Sequence, residues 1–342
     1  MSRELRGILM AKMYGAEVSG VGKCLPRKFL TNSDLVKFVD TSDEWIVSRT
    51  GIKQRHVVSD DESVSQMGAD ASMQALRMAG VSPEEVDLVI CGTFTADYKL
   101  PSAACLIQNR IGATKAGAFD LNSACTGFIH SLITGAQYVK SGACKHVLVI
   151  GADVCSRMLN WEDRSTCVLF GDGASALLLS RNEDPSVGVQ SFFTRADGGG
   201  MESLWIYAGG SQRPIDQDVL DKKLQYVQMS GRDVFKFAIQ AISDSANNVL
   251  LQEGLDDSDI QLMVPHQANL RIIQSAAKKL NLPPEKVYVN IDKYGNTVGA
   301  SVGLALYDAF EDKKISQGDK ILVVGFGAGL SWGATVINWS LS

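Results

Sequence analysis

The feature that most constrains the fold is an internal repeat in the order and spacing of the predicted elements. A predicted helix ends at Gly80, and an apolar run ends 71 residues later at Gly151. The second half repeats this spacing: another predicted helix ends at Gly254, and an apolar run ends 71 residues later at Gly325. A match in both order and distance is typical of a duplicated unit. The sequence therefore predicts two similar halves related by a pseudo-twofold axis.

The apolar runs are short and continuous, and segments with helical spacing separate them. Such runs are typical of strands that helices cover on both faces. The sequence therefore predicts an α/β fold with two similar βαβ-rich halves and mostly parallel sheets covered by helices. We place the halves at residues 13–185 and 186–342, after an N-terminal extension of residues 1–12. The glycine-rich, charged stretch 183–224 is predicted to connect them.

Composition excludes several classes of protein. No run of about 18 apolar residues is present in the 342-residue chain, so no membrane span is predicted. The formal net charge of −5 argues against nucleic-acid binding. The seven cysteines are dispersed, with no CxxC pair and no metal-ligand spacing. This pattern indicates reduced thiols, no metal site and a cytoplasmic location.

Two interpretations of the N-terminal extension stay open. Its apolar run is too short for a signal peptide. Arg3, Arg6 and Lys12 are compatible with an organelle transit segment. We favour a loose extension or a true start at Met13.

Cys125 lies among small residues, between a predicted strand and a predicted helix over 127–140. Free backbone N–H groups and the positive end of the helix dipole favour a thiolate at a helix start. Small neighbours also allow a substrate carbonyl to approach the sulfur. The alternative is a buried structural cysteine in a strand-to-helix turn.

His266 and Asn296 are the candidate partners of Cys125. His266 ends the apolar run 262–265, and catalytic groups in open α/β sheets lie at such carboxyl ends of strands. The stretch 295–301, which contains Asn296, surrounds the position 45 residues after Gly254, as Cys125 lies 45 residues after Gly80. A core histidine and a helix-capping asparagine are the structural alternatives. Together the three side chains make a set of nucleophile, proton handler or oxyanion donor, and neutral donor.

These residues belong to six motifs that occur in order along the chain. The motifs are TSDEWI at 41–46 with RTGI at 49–52, NSACTG at 122–127, FGDGA at 170–174, VPHQAN at 264–269, GNT at 295–297 and GFGAG at 325–329. On these motifs the sequence resembles the β-ketoacyl-acyl-carrier-protein synthase III family from about Gly15 to Trp339. That family begins fatty-acid synthesis in bacteria and plastids. The resemblance implies the duplicated thiolase fold, in agreement with the repeat.

The resemblance also implies a reaction and the residues that perform it. The reaction is a decarboxylating Claisen condensation of acetyl-CoA or another short acyl-CoA with malonyl-acyl carrier protein, through an acyl-Cys intermediate, to give 3-oxoacyl-acyl carrier protein. Cys125 would be the nucleophile, and His266 and Asn296 would bond the malonyl thioester carbonyl. The backbone N–H groups of Cys125 and Ala328 would form the oxyanion hole, although many relatives carry glycine at position 328. Coenzyme A enters as a substrate thioester, and no cofactor is implied.

Further binding residues are implied in the same way. The residues that resemble the coenzyme A contacts are Trp45, Arg49, Arg164 and Asn269, with Trp45 and Arg49 on one helix face. The basic residues that resemble a carrier-protein docking surface are Arg271, Lys278, Lys279 and Lys236. The implied acyl-pocket residues are Phe170, Phe326 and Leu100, the last reaching in from the partner subunit of a homodimer. Relatives often have phenylalanine at position 100, so leucine predicts room for a somewhat longer or bulkier primer. Some relatives have asparagine at Arg232.

Other functions remain as alternatives. A specialised condensing enzyme of the same branch would use a different primer or acceptor. A non-catalytic acyl-CoA-binding protein would not require the intact set of Cys125, His266 and Asn296. A degradative thiolase is disfavoured because Asn296 and Gly299 provide no second cysteine.

Overall fold

The computed structural model describes residues 12–342, and the predicted extension of residues 1–12 lies outside that range except for Lys12. The strands are β1 (Gly15–Cys24), β2 (Lys28–Thr31), β3 (Gln54–Val57), β4 (Leu88–Gly92), β5 (Gly117–Leu121), β6 (His146–Asp153), β7 (Gly173–Asn182), β8 (Gly188–Ala196), β9 (Leu204–Ile206), β10 (Val227–Met229), β11 (Leu262–Pro265), β12 (Lys320–Gly327) and β13 (Ser331–Asn338). The helices are α1 (Asn32–Leu35), α2 (Asp43–Thr50), α3 (Val64–Ala79), α4 (Ala103–Ile111), α5 (Gly127–Lys140), α6 (Arg164–Cys167), α7 (Gln217–Asp221), α8 (Gly231–Glu253), α9 (Leu270–Lys279), α10 (Ile291–Tyr294) and α11 (Ser301–Glu311).

The main sheet is mixed. Within the described range it has the order β11-β12-β13-β8-β1-β7-β6-β4-β5, and its two halves join where β1 meets β8 at the pair Ala16 and Gly188. Four of the eight neighbouring pairs are antiparallel, whereas the sequence predicts mostly parallel pairing. The connection between β12 and β13 shows the reason, since residues 328–330 are too few for the crossover that a parallel pair needs.

The predicted repeat is present in the structure. A shift of 174 residues carries β6 onto β12 and the 3₁₀ turn Ala124–Thr126 onto the 3₁₀ turn Val298–Ala300. Gly80 and Gly254 cap α3 and α8 in nearly the same left-handed conformation, with φ of 64° and 66°. The halves differ after these strands, because residues 154–172 separate β6 from β7 whereas three residues separate β12 from β13. The boundary at residue 185 stays a prediction.

Helices cover both faces of the sheet, as predicted. Helices α5 and α11 lie between the two halves, where Phe128 and Leu132 pack in one core cluster with Val302 and Leu306. The outer face of the first half is covered by α3 and α4, and that of the second half by α8 and α9. No helix within residues 12–342 has the length and apolar character needed to span a membrane.

Strand β8 lies inside the stretch 183–224, which the sequence predicts as a connection. The strand pairs with β13 and buries Val189 and Phe193. Its other positions are mostly polar or exposed, so the apolar signal that marks the central strands is absent. Only residues beyond β8 can serve as the predicted connection.

Candidate active site

Cys125 lies in the 3₁₀ turn between β5 and α5 and is 5% exposed. The preceding Ala124 has a φ of 45°, in the left-handed region that non-glycine residues rarely adopt. At the equivalent position of the second half, Val298 has a φ of 51°. A β-branched residue in this region is strained, so surrounding contacts hold both turns in place. The strain marks the two turns as functional candidates.

The carboxyl end of β12 packs against the turn that holds Cys125. A Cβ atom at Gly327 would lie 2.8 Å from Cys125 Cβ, so only glycine allows this approach. The backbone N–H groups of Cys125 and Ala328 both donate toward the sulfur. Ala328 itself is outside the left-handed region; the left-handed residue is Gly329, with a φ of 141°. Alanine at position 328 therefore fits the backbone.

The thiol of Cys125 is less acidic than the sequence predicts. Burial raises its pKa to about 12, the negative charge of Asp153 acts in the same direction, and the two N–H groups oppose both. The carboxylate of Asp153 accepts from the N–H of Gly299, which stands at the position of Cys125 in the second half. The predicted stabilisation of a thiolate at the helix start is thus outweighed. The protonated thiol is the resting form at neutral pH.

This pKa predicts how Cys125 reacts with iodoacetamide. Because only the thiolate reacts, the alkylation rate of Cys125 is expected to increase about tenfold per pH unit from pH 7 to 10. Mass spectrometry of the peptide containing Cys125 measures this rate separately from that of the exposed Cys105. A plateau at or below pH 9 would contradict the raised pKa.

His266 lies at the carboxyl end of β11 and is fully buried. Burial lowers its pKa to about 3, so the imidazole is neutral. Its Nδ1 lies 2.5 Å from Ser301 Oγ, and its Nε2 has no hydrogen-bond partner among the described residues. An unpaired buried polar atom is costly, and one at the wall of a cavity indicates a group that pairs with a ligand.

Asn296 presents an amide donor beside this histidine's cavity. Its Oδ1 accepts a hydrogen bond of 2.9 Å from the N–H of Val298, and the residue is 5% exposed. That bond fixes the amide with its oxygen toward the backbone. Nδ2 bonds no other described residue and remains a donor for a ligand.

Two cavities meet at Cys125. One, of about 270 Å³, is lined by Cys125, His266 and Asn296 and reaches Arg49 and Arg271. The other, of about 180 Å³, is almost wholly apolar; its lining is Phe94, Asn122, Ala124, Cys125, Cys155, Phe170, Leu204, Trp205, Ile206, Val227, Val298 and Ala328. The arrangement provides an entrance and a separate apolar pocket for a substrate that reacts at the sulfur.

The three predicted acyl-pocket residues lie in different places. Phe170 lines both cavities, whereas Phe326 lines only the cavity that contains His266. Leu100 is 88% exposed and lines neither of them. Most of the apolar lining was missed from sequence, because β9 and β10 carry no motif. Cys155 had a usable signal: it directly follows the carboxyl end of β6.

The predicted coenzyme A contacts are close together in space. The indole of Trp45 has the guanidinium groups of Arg49 and Arg164 each 4.7 Å from its centroid. Asn269 Nδ2 donates to the carbonyl oxygen of Arg49 at 3.1 Å, which ties α9 to α2. Arginine and tryptophan side chains together form flat surfaces on which an aromatic ring can stack.

Basic side chains surround the outer end of the larger cavity. Arg271 lines it and places its guanidinium 5.9 Å from the ring of Phe235. Lys236 and Lys278 are exposed, and Lys279 donates to Gln240 at 2.6 Å. The predicted basic surface therefore begins at the cavity and continues along α9.

Solved structures share this architecture. A 3-oxoacyl-[acyl-carrier-protein] synthase III from Aquifex aeolicus VF5 is 44% identical, with a TM-score of 0.87 over 94% of this chain and 99% of the other. The priming β-ketosynthase from the R1128 polyketide biosynthetic pathway is 36% identical, with a TM-score of 0.90 over 98% of this chain and 99% of the other. These likenesses confirm the predicted thiolase-like fold.

A duplicated fold of this kind, in a chain so similar to these synthases, defines a thiolase-fold condensing enzyme, an acyltransferase. Residues 119–198 match the family model for 3-oxoacyl-[acyl-carrier-protein] synthase III, and residues 250–339 match its C-terminal model. The β-ketoacyl-[acyl-carrier-protein] synthase III of Caldanaerobacter subterraneus is 46% identical over 97% of this chain and its own whole length. The chain belongs to the β-ketoacyl-[acyl-carrier-protein] synthase III family.

Proposed function

We propose that this enzyme condenses a short acyl-CoA primer, such as acetyl-CoA, with malonyl-acyl carrier protein and so initiates fatty-acid synthesis. The product is 3-oxoacyl-acyl carrier protein. The observation that carries the proposal is the position of Cys125, at the junction of an apolar pocket and a cavity lined by His266 and Asn296. The activity printed in the relatives' names agrees with this arrangement.

In the first half-reaction, Cys125 takes the acyl group. The sulfur attacks the thioester carbonyl of the primer, and the N–H groups of Cys125 and Ala328 bond the oxyanion that forms. The carbon–sulfur bond to coenzyme A then breaks, leaving the acyl chain in the 180 Å³ pocket. Because the thiol is protonated at rest, the proton that it loses ends on the departing coenzyme A thiolate.

In the second half-reaction, His266 Nε2 and Asn296 Nδ2 bond the carbonyl oxygen of the malonyl thioester. Carbon dioxide leaves, and its bonding electrons form an enolate that these two donors stabilise in a buried site. The enolate carbon attacks the acyl carbon on Cys125. The tetrahedral intermediate collapses, releasing 3-oxoacyl-acyl carrier protein and the Cys125 thiolate, which regains a proton.

Incubation with isotopically labelled acetyl-CoA tests the nucleophile directly. The mass of the protein is expected to increase by one acetyl group, located on the peptide that contains Cys125. The exposed Cys105 provides an internal control for non-specific acylation. Label on other residues, or none, would refute the proposed intermediate.

The proposed contacts of coenzyme A and of the carrier protein share one entrance. Arg49 and Arg164 would stack the adenine with Trp45, and Asn269 would contact the pantetheine arm. Carrier proteins that are acidic would dock on Arg271, Lys278, Lys279 and Lys236. The net charge of −5 makes this basic surface a local feature of an otherwise acidic chain.

Reversing the charge of Arg271 tests this docking surface. Arg271→Glu is expected to raise the apparent KM for malonyl-acyl carrier protein about tenfold at low salt, and less at high salt, because the surface charges are screened. The matched control is Lys145→Glu, since Lys145 is exposed just before the amino end of β6, at the opposite edge of the sheet. An unchanged KM at low salt would exclude Arg271 from docking.

We also propose a cytoplasmic homodimer in which Leu100 of each subunit reaches the acyl pocket of the other. The 88% exposure of Leu100 in a single chain is compatible with this role. Leu100→Phe is expected to reduce the use of hexanoyl-CoA relative to acetyl-CoA by roughly tenfold, because the larger ring occupies space for the primer. Competition between the two primers, followed by mass spectrometry, measures the ratio.

Leu251→Phe is the control for this substitution, because Leu251 is 79% exposed on α8. Unchanged primer ratios in Leu100→Phe would exclude the gate. A stable and active monomer in sedimentation at micromolar concentration would exclude the shared pocket.

A specialised condensing enzyme of the same branch is the second candidate function. It is favoured by the likeness to the R1128 priming β-ketosynthase, which covers 98% of this chain. The two functions differ in primer and acceptor. Assays of several acyl-CoA primers with malonyl-acyl carrier protein separate them.

A further inference from the structure

The hydroxyl of Ser301 has only two hydrogen-bond neighbours among the described residues. Oγ lies 2.5 Å from Nδ1 of His266 and accepts a weaker bond of 3.4 Å from the N–H of Gln267. Ser301 is 1% exposed, and it is the first residue of α11, directly after the strained turn at Val298. Its position relative to the imidazole is therefore fixed by backbone.

This geometry restricts where the neutral imidazole carries its one proton. If Nδ1 carried the proton, it would donate to Ser301 Oγ, and the serine hydroxyl hydrogen would have no acceptor in a buried site. If Ser301 donates to Nδ1, the proton is on Nε2, and Oγ can still accept from Gln267. Only the second arrangement satisfies every buried group of the pair, and an unsatisfied buried donor is costly.

The repeat shows that this pair is a local feature of one half. A shift of 174 residues carries Gly92 onto His266 and Gly127 onto Ser301. In the first half a Cβ atom at Gly92 would lie 2.6 Å from the backbone of Gly127, so no side-chain pair can form there. The fold thus accepts two glycines or a histidine–serine pair at the same contact.

We propose that Ser301 is a positioning residue whose hydroxyl donates to Nδ1 and thereby holds the proton of His266 on Nε2. In this tautomer Nε2–H is a donor that lines the same cavity as Nδ2 of Asn296. Two donors are what an enolate oxygen requires. The consequence for catalysis rests on the proposed function, whereas the position of the proton does not.

Nuclear magnetic resonance of protein labelled with ¹⁵N-histidine tests the proton's position in the free enzyme. The chain has four histidines, so the signals of His266 are assigned by their loss in His266→Ala. In the wild type, Nε2 is expected to give the signal of a protonated nitrogen and Nδ1 that of an unprotonated acceptor. In Ser301→Ala, the two tautomers are expected to become mixed or reversed.

Kinetics provides the second readout. Ser301→Ala is expected to lower the rate of malonyl decarboxylation roughly 10- to 100-fold while changing acylation of Cys125 less. Ser301→Thr, which keeps the hydroxyl, is expected to restore both the tautomer and most of the rate. Ser175→Ala is the matched control: that buried hydroxyl donates to the carbonyl oxygen of Ala300, beside Ser301, and does not contact the histidine.

An unprotonated Nε2 in the wild type would overturn the proposal, and so would an unchanged tautomer in a folded Ser301→Ala protein. The proposed function fails separately, if the wild type with the expected tautomer does not decarboxylate malonyl-acyl carrier protein.

Discussion

Replacing Cys125 with serine is expected to reduce primer transfer by a factor of about 10⁴ or more. A serine hydroxyl is far less acidic than a thiol, and burial together with the charge of Asp153 already disfavours an anion at this position. The turn provides two N–H donors but no adjacent base to activate an alcohol. Rates of acyl-enzyme formation from labelled acetyl-CoA, measured by quenching and intact-protein mass spectrometry, provide the test.

Cys105→Ser is the matched control for this experiment. Cys105 is an exposed cysteine on α4, outside both cavities, and its replacement is expected to leave acylation unchanged. Circular dichroism verifies that the Cys125→Ser protein is folded. Acylation of that protein at the wild-type rate would show that another residue is the nucleophile.

Removing either donor of the second half-reaction is expected to impair decarboxylation selectively. His266→Ala and Asn296→Ala each remove one hydrogen bond to the enolate oxygen. The loss of one such donor costs about 3–4 kcal/mol, or roughly a few hundredfold in rate. Acylation of Cys125 is expected to change much less, because its oxyanion is bonded by backbone N–H groups.

The two half-reactions are measured separately, as acetyl transfer to Cys125 and as release of labelled carbon dioxide from malonyl-acyl carrier protein. His146→Gln is the control, since His146 begins β6 at the opposite end of that strand and contacts Ser180. Equal losses in both half-reactions would contradict the division of roles between Cys125 and the donor pair.

The repeat was predictable because its signals are local. Glycines such as Gly80 and Gly254 end helices in a left-handed conformation, and each buried strand is one continuous apolar run. The antiparallel strands β7 and β13 were not predicted as such, because their apolar runs resemble those of parallel strands. Strand β8 was missed because its exposed positions are polar.

The convergence of Cys125, His266 and Asn296 on one cavity was also predictable, since equivalent ends of the two halves face each other. The pKa of the thiol was not, because burial and the charge of Asp153 arise from tertiary packing. The apolar pocket likewise depends on residues far apart in sequence, including Phe94, Cys155 and Val227. Spacing along the chain carries no information about such contacts.

Reconstitution of the complete reaction tests the central claim most directly. Purified enzyme is mixed with acetyl-CoA and malonyl-acyl carrier protein, and the carrier protein is analysed by mass spectrometry. The predicted result is 3-oxobutanoyl-acyl carrier protein, formed with one carbon dioxide and one free coenzyme A per product, and absent with Cys125→Ser. Acetylated enzyme that releases carbon dioxide without forming this product, or a carrier protein that stays malonylated with every primer tested, would contradict the account.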